Sequence, residues 1–163
     1  MPTEDELGAY YTKSYRLDYQ LATTGPKQKH IAKRNREAAG RVAHVTDLLP
    51  RNARTLDFGC GSGEFVSQML EQGFDAHGFE PGEDYGRYAQ GNLGERIKIG
   101  GWQNVTFDKP FDLVTCFHVV EHVRDPISAI SKMVEWLAPE GLAYIEVPDL
   151  GRRQASRGFG ELH

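Results

Sequence analysis

A chain of 163 residues, 39% hydrophobic and 26% charged, has the length of one domain and enough apolar material for one core. The longest apolar runs, such as Phe117 to Val120, are far too short to span a bilayer, and a net charge of −4 implies no general affinity for nucleic-acid backbones. Two cysteines, Cys60 and Cys116, with no CxxC pair, speak against a zinc ribbon or a disulfide scaffold. The opening MPTEDELGAYY has neither the basic start nor the apolar stretch of a secretory signal, so a reducing cytoplasm is expected.

Residues 1–26 read as an N-terminal cap segment that ends on the breaker Thr23-Thr24-Gly25-Pro26. Tyr11, Tyr15 and Tyr19 share one stripe if this segment is helical, and packing on the core is favoured for them over contact with a substrate. Lys27 to Leu49 carries Ile31, Ala38, Val42, Val45 and Leu49 at helical spacing and stops at Pro50, which predicts an amphipathic helix. Its basic run, Lys27, Lys29, Lys33, Arg34 and Arg36, reads as a solvated face.

Alternation follows: a strand over Thr55 to Phe58, a helix over Glu64 to Gln72 stopped by Gly73, a strand over Asp75 to Phe79, and a helix from Pro81 to about Asn92. A weak third strand is expected over Arg96 to Ile99, a strong fourth over Phe111 to Cys116, a helix over Pro126 to Leu137, and a fifth strand over Leu142 to Val147. This rhythm predicts an α/β fold, a doubly wound, mainly parallel sheet with helices on both faces, over residues 27–149. Residues 150–163 are a polar, Gly-rich tail.

The informative stretch is Leu56-Asp57-Phe58-Gly59-Cys60-Gly61-Ser62-Gly63-Glu64-Phe65, at the carboxyl end of the first strand, where open parallel sheets bind ligands. Its glycines allow a tight turn and close approach of backbone to a ligand. The Gly-Lys-Ser/Thr ending of a phosphate-cradling loop is absent. A dinucleotide fingerprint needs glycine or alanine where Glu64 stands, and an acid at that helix start conflicts with a pyrophosphate. Asp57 and Glu64 instead suit a ligand with an ammonium group. Glu80, 21 positions after Gly59 and followed by Pro81, ends the second strand, where a carboxylate can accept hydrogen bonds from two vicinal ribose hydroxyls.

On these residues the chain resembles the class I S-adenosylmethionine-dependent methyltransferases, whose first motif is an acid followed by x-Gly-x-Gly-x-Gly, here Asp57 to Gly63. The likeness covers about Val45 to Asp149. It implies a Rossmann-like sheet, of which the last two of the usual seven strands are lacking here. It also implies S-adenosylmethionine as cofactor and a small-molecule methyl acceptor such as a sugar, a quinone or another metabolite. Carried onto this chain, it makes Asp57, Gly59, Cys60, Gly61 and Gly63 the cofactor loop, and Glu80 with Pro81 the ribose site. Cys116 and Phe117 then edge the methionine end. Many relatives carry an acid after the third strand; here Trp102 and Gln103 stand near that place as candidates for the adenine, ordinary packing of Trp102 being an equal alternative. A fifth strand without its neighbours leaves an exposed edge, for which an oligomer or a covering partner is the expectation.

The block Phe111 to Pro126 also matches the family's fourth-strand region, ending in Glu121-His122-Val123-Arg124-Asp125-Pro126. His118 is the candidate general base, since imidazole titrates near neutrality. His118-Val119-Val120-Glu121-His122 also spells an inverted zinc-peptidase pattern, which requires a helix and is disfavoured after a strand by two β-branched valines. No metal is expected; a divalent ion on His118, Glu121 and His122 is the minority reading, because histidine suits magnesium poorly. The rivals to a methyltransferase are a non-catalytic cofactor-binding or scaffold module and a nicotinamide dehydrogenase.

Overall fold

The computed structural model describes residue 26 and residues 28–149, so the tyrosine stripe and the polar tail lie outside the described residues. In chain order the elements are α1 (Gln28–Val45), β1 (Arg54–Phe58), α2 (Glu64–Glu71), β2 (Asp75–Glu80), α3 (Glu83–Leu93), β3 (Ile97–Ile99), β4 (Phe111–Phe117), α4 (Pro126–Trp136) and β5 (Leu137–Glu146). The strands form one parallel sheet in the order β3-β2-β1-β4-β5. This is the α/β, doubly wound sheet expected of the sequence. Its order reverses between β1 and β4, and a crevice opens at such a point outside the carboxyl ends of the strands.

Side chains alternate across the sheet and build a separate apolar layer on each face. On one face Ala38, Val42 and Val45 of α1 meet Phe65, Val66 and Met69 of α2, Ala89 of α3, and Ala76, Ile97 and Leu113 of the strands. On the other, Ala129, Met133 and Trp136 of α4 meet Leu56, Phe58, Phe79, Val114 and Cys116. Phe58 and Phe79 contact edge to face at 4.7 Å, which joins β1 to β2 beneath Trp136.

Three boundaries differ from expectation by more than one residue. The helix expected to run to Leu49 tightens before Pro50: α1 gives way after Val45 to a 3-10 turn over Thr46–Leu48. The next difference is at α3, which begins at Glu83, because extended Gly82 is its cap and Glu83 and Asp84 supply acid to its first turn. The last is at β5, which begins at Leu137 rather than Leu142. Leu137 pairs with Phe111 and Leu142 with Leu113, so the expected turn survives as a bulge inside the strand, with Glu140 at φ 64°. The α4 start is as read: Pro126 occupies its first turn and the Asp125 carboxylate accepts from the Ser128 amide at 3.0 Å.

Candidate functional site

The glycine stretch leaves β1 at the reversal point and turns through three left-handed residues, Gly59 (φ 77°), Gly61 (φ 59°) and Gly63 (φ 87°), into the first turn of α2. Glycine is needed here for a reason beyond ligand approach. A Cβ on Gly59 would lie 2.7 Å from Val119 Cγ2, and one on Gly63 would lie 2.8 Å from Leu93 Cδ1. The turn is therefore wedged between the loop after β4 and the end of α3. Its position is also fixed from β2, where the Phe79 carbonyl accepts the Cys60 amide at 2.9 Å.

Three carboxylates are buried around this turn: Asp57 at 5%, Glu64 at 8% and Glu80 at 1% exposure. Glu80 accepts the Gly61 amide at 2.9 Å on one oxygen and the Gly82 amide at 2.8 Å on the other. It thus ties the glycine turn to the start of α3, a role the sequence did not disclose. Asp57 accepts the Thr115 hydroxyl at 2.9 Å. Burial pushes its carboxyl up to about 7, with Glu64 and Glu80 adding to the rise and Thr115 and Arg41 opposing it. Glu64 accepts the Ser62 hydroxyl. So much negative charge in so little solvent fits a positively charged ligand and conflicts with a pyrophosphate.

Beyond β4 the candidate residues separate by face. Cys116 is fully buried in the α4-side layer, and burial pushes its thiol up to about 12. Its side chain is thus turned into the core. Phe117 points to the opposite face, against Phe65 of α2 at 5.1 Å and Tyr144 of β5 at 5.3 Å. His118 is half exposed and sits at φ 56°, a left-handed conformation uncommon for a residue with a side chain. Trp102 packs partly buried against the α4-side layer, Gln103 beside it is exposed, and half-buried Pro81 leads into the Gly82 cap.

The HxxEH stretch forms no helix: Val120–His122 is a single 3-10 turn after left-handed His118. The zinc-peptidase pattern is overturned by this, since its histidines need one helical face. Glu121 Oε1 lies 3.5 Å from His118 Nδ1 and 3.8 Å from His122 Nε2, so it braces the loop. Among the described residues no group of three or more His, Cys, Asp or Glu side chains is arranged to hold a metal ion.

A cleft of about 380 Å³ opens beside His118, lined by Glu37, Arg41, His44, Tyr144 and Glu146. The sequence reading missed Arg41 and Thr115. Arg41 had a signal, for it lies three residues after Ala38 and four before Val45, on the edge of the buried stripe of α1. A larger cleft of about 570 Å³ lies at the amino ends of the strands. On its wall Asp75 pairs with Arg54 at 3.2 Å and Arg96 at 2.7 Å, and His77 Nε2 lies 3.0 Å from the same carboxylate. Of the basic run, Lys29, Lys33 and Arg36 are exposed and Arg34 half-buried, with Lys33 paired to Glu37 at 3.5 Å, while Lys27 lies outside the described residues. Among the described residues no helix is long and apolar enough to cross a membrane.

Comparison with known proteins agrees with this architecture. The ubiquinone biosynthesis O-methyltransferase of Psychrobacter cryohalolentis is 30% identical over 104 residues, which are 56% of this chain and 39% of that protein. The chain thus spans about two fifths of that relative's length. CalS10, an amino pentose methyltransferase from Micromonospora echinaspora solved with S-adenosylmethionine bound, superposes with a TM-score of 0.59 at 24% identity, over 80% of this chain and 60% of CalS10. The plantazolicin methyltransferase BpumL gives a TM-score of 0.64 at 17% identity, over 98% of this chain and 65% of BpumL. At these identities the two structures establish the fold. Residues 30–161 match the family described as "Methyltransferase domain", and the chain belongs to that family.

Proposed function

We propose that this chain is the cofactor-binding domain of an S-adenosylmethionine-dependent methyltransferase that acts on a small-molecule acceptor. The observation that carries the reading is the glycine turn at the β1/β4 reversal point, ringed by buried Asp57, Glu64 and Glu80. A cationic sulfonium nucleoside with an ammonium group offsets that charge, which a dinucleotide does not.

S-adenosylmethionine supplies, when bound, a methyl group on a positively charged sulfur. In this reading Asp57 and the turn over Gly59, Cys60, Gly61 and Gly63 receive the amino-acid end. Glu80, with Pro81 beside it at the end of β2, takes the ribose hydroxyls. Trp102 and Gln103 border the adenine, and Phe117 borders the methionine end; from Cys116, whose thiol is in the core, only the backbone is offered. His118 is the general base, at the mouth of the cleft that takes the methyl acceptor. Methyl transfer depends chiefly on holding the nucleophile in line and close, so the base adds to positioning and does not replace it.

Two buried thiols, Cys60 and Cys116, suit the reducing cytoplasm as location. The outer edge of β5, with exposed Leu142 in the strand and exposed Val147 just past it, is where further strands or a partner subunit would pair. Titration calorimetry with S-adenosylmethionine and with NAD tests the reading: tighter binding of NAD overturns it. Radiolabelled methyl transfer to a panel of sugars, quinols and amines then separates an enzyme from a binding module, since tight binding with no transfer to any of them favours the module.

A further inference from the structure

His118 is held by one residue twice. Its backbone amide donates to the Glu146 carbonyl at 2.8 Å, and its Nε2 lies 2.9 Å from Glu146 Oε1. Glu146 is itself gripped from α1, where Arg41 Nε lies 3.0 Å from Oε2 and Nη2 lies 2.7 Å from Oε1, a parallel two-point fork. The Arg41 guanidinium stacks on the Phe117 ring at 4.2 Å. Elements from the first helix, the last strand and the loop after β4 therefore meet at one imidazole.

We propose that Glu146, backed by Arg41, is a positioning residue that fixes His118 as its Nε2–H tautomer and leaves Nδ1 to take the proton of the methyl acceptor. This rests on the reading of His118 as general base.

An ionised carboxylate only accepts hydrogen bonds, so a ring nitrogen 2.9 Å from it must carry the hydrogen. Glu146 is kept ionised by the Arg41 hydrogen bond, which holds its carboxyl below the usual range against the opposing effect of burial, and arginine does not deprotonate in proteins. In neutral imidazole the lone pair then sits on Nδ1. Two carboxylates compete for the ring hydrogen, and Glu146 at 2.9 Å from Nε2 outweighs Glu121 at 3.5 Å from Nδ1. Glu146 faces Nε2 from β5, Arg41, Glu37 and His44 line the cleft from α1, and Glu121 lies 3.5 Å from Nδ1 on the ring's own loop. The heteroatom–hydrogen bond of the methyl acceptor breaks, its electron pair stays on the heteroatom, and the proton forms the Nδ1–H bond. The imidazolium then lies between two carboxylates, Glu146 and Glu121. The left-handed backbone of His118 is strained, and its two contacts with Glu146 hold it there.

The test reads the tautomer directly, by long-range proton–nitrogen correlation on full-length protein labelled with 15N-histidine at a pH where His118 is neutral. His118→Gln assigns the signals. The wild type is expected to show a single Nε2–H tautomer, Glu146→Ala a mixture, and Glu146→Gln, which keeps an acceptor carbonyl, more of the Nε2–H form than Glu146→Ala. With a methyl acceptor found in the panel above, Glu146→Ala lowers kcat at least about tenfold while KM for S-adenosylmethionine stays within about twofold. An Nδ1–H tautomer in the wild type overturns the proposal even if Glu146→Ala fails to fold and even if His118→Gln is inactive. So does an Nε2–H signal unchanged in folded Glu146→Ala. Wild-type turnover by His118→Gln instead removes the base, with the tautomer result standing on its own.

Discussion

The amide of Gly61 donates to the carboxylate of Glu80 at 2.9 Å, across 19 positions of sequence. One glutamate thereby shapes the turn that it also faces. Truncation to Glu80→Ala leaves the Gly61 and Gly82 amides without their acceptor in a buried place, at a cost of about 1–3 kcal/mol in stability. It also removes the proposed ribose contact. Affinity for S-adenosylmethionine is expected to fall at least about tenfold, or ~1.4 kcal/mol. Calorimetry beside a thermal melt separates the two effects, and a destabilised variant with unchanged affinity takes Glu80 out of the ribose site.

The Asp57 carboxyl, raised by burial from its ordinary 3.8 to about 7, links stability and binding to pH. Between those values the folded state holds a proton that the unfolded chain lacks, so stability falls as pH rises through this window and levels off above it. Asp57→Asn is expected to flatten that slope in pH-dependent denaturant unfolding. A cation bound beside Asp57 favours the ionised form. Affinity for S-adenosylmethionine should therefore rise with pH up to about 7, with proton release at pH 6. Calorimetry in two buffers of different ionisation enthalpy measures that release, which Asp57→Asn abolishes.

Gly59 and Gly73 share a left-handed backbone, at φ 77° and 86°, but differ in their surroundings. A Cβ on Gly73 meets nothing within 4 Å, whereas one on Gly59 meets Val119 Cγ2 at 2.7 Å. Gly73→Ala should cost only the backbone strain, about 1–2 kcal/mol. Gly59→Ala should cost a further ~1–3 kcal/mol of overpacking, part of which Val119→Ala relieves in the double variant. Denaturant unfolding of the four proteins checks the order, and equal costs for the two alanines would remove Val119 as a constraint on the turn.

Cys116, fully buried with its thiol pushed up to about 12, should resist a thiol reagent in the native state and react only as the chain unfolds. The reagent's rate across a denaturant series measures this. Modification of native Cys116 at the rate of an exposed thiol would place it at the cleft edge after all.

Much of this molecule is local, and the local part was legible. The alternation of short apolar strands with amphipathic helices dictates a parallel sheet, and the spacing from Asp57 through Gly63 to Glu80 dictates where its carboxyl-end turn lies, because each depends on neighbours within a few residues or on one βαβ unit. Boundaries blurred where two elements share a residue. Gly82 caps α3 in place of Pro81, and the turn before β5 is absorbed as a bulge only because β4 offers Phe111 as a partner. The site around His118 was beyond the sequence for the same kind of reason. His118 and Glu121 are near in the chain, but Arg41 and Glu146 stand 105 positions apart and meet only because α1 and β5 flank the same end of the sheet. Residue type and period specify which elements form and which face is apolar. Which charges then confront one another is settled by packing, since only the folded sheet brings those distant side chains within hydrogen-bond reach.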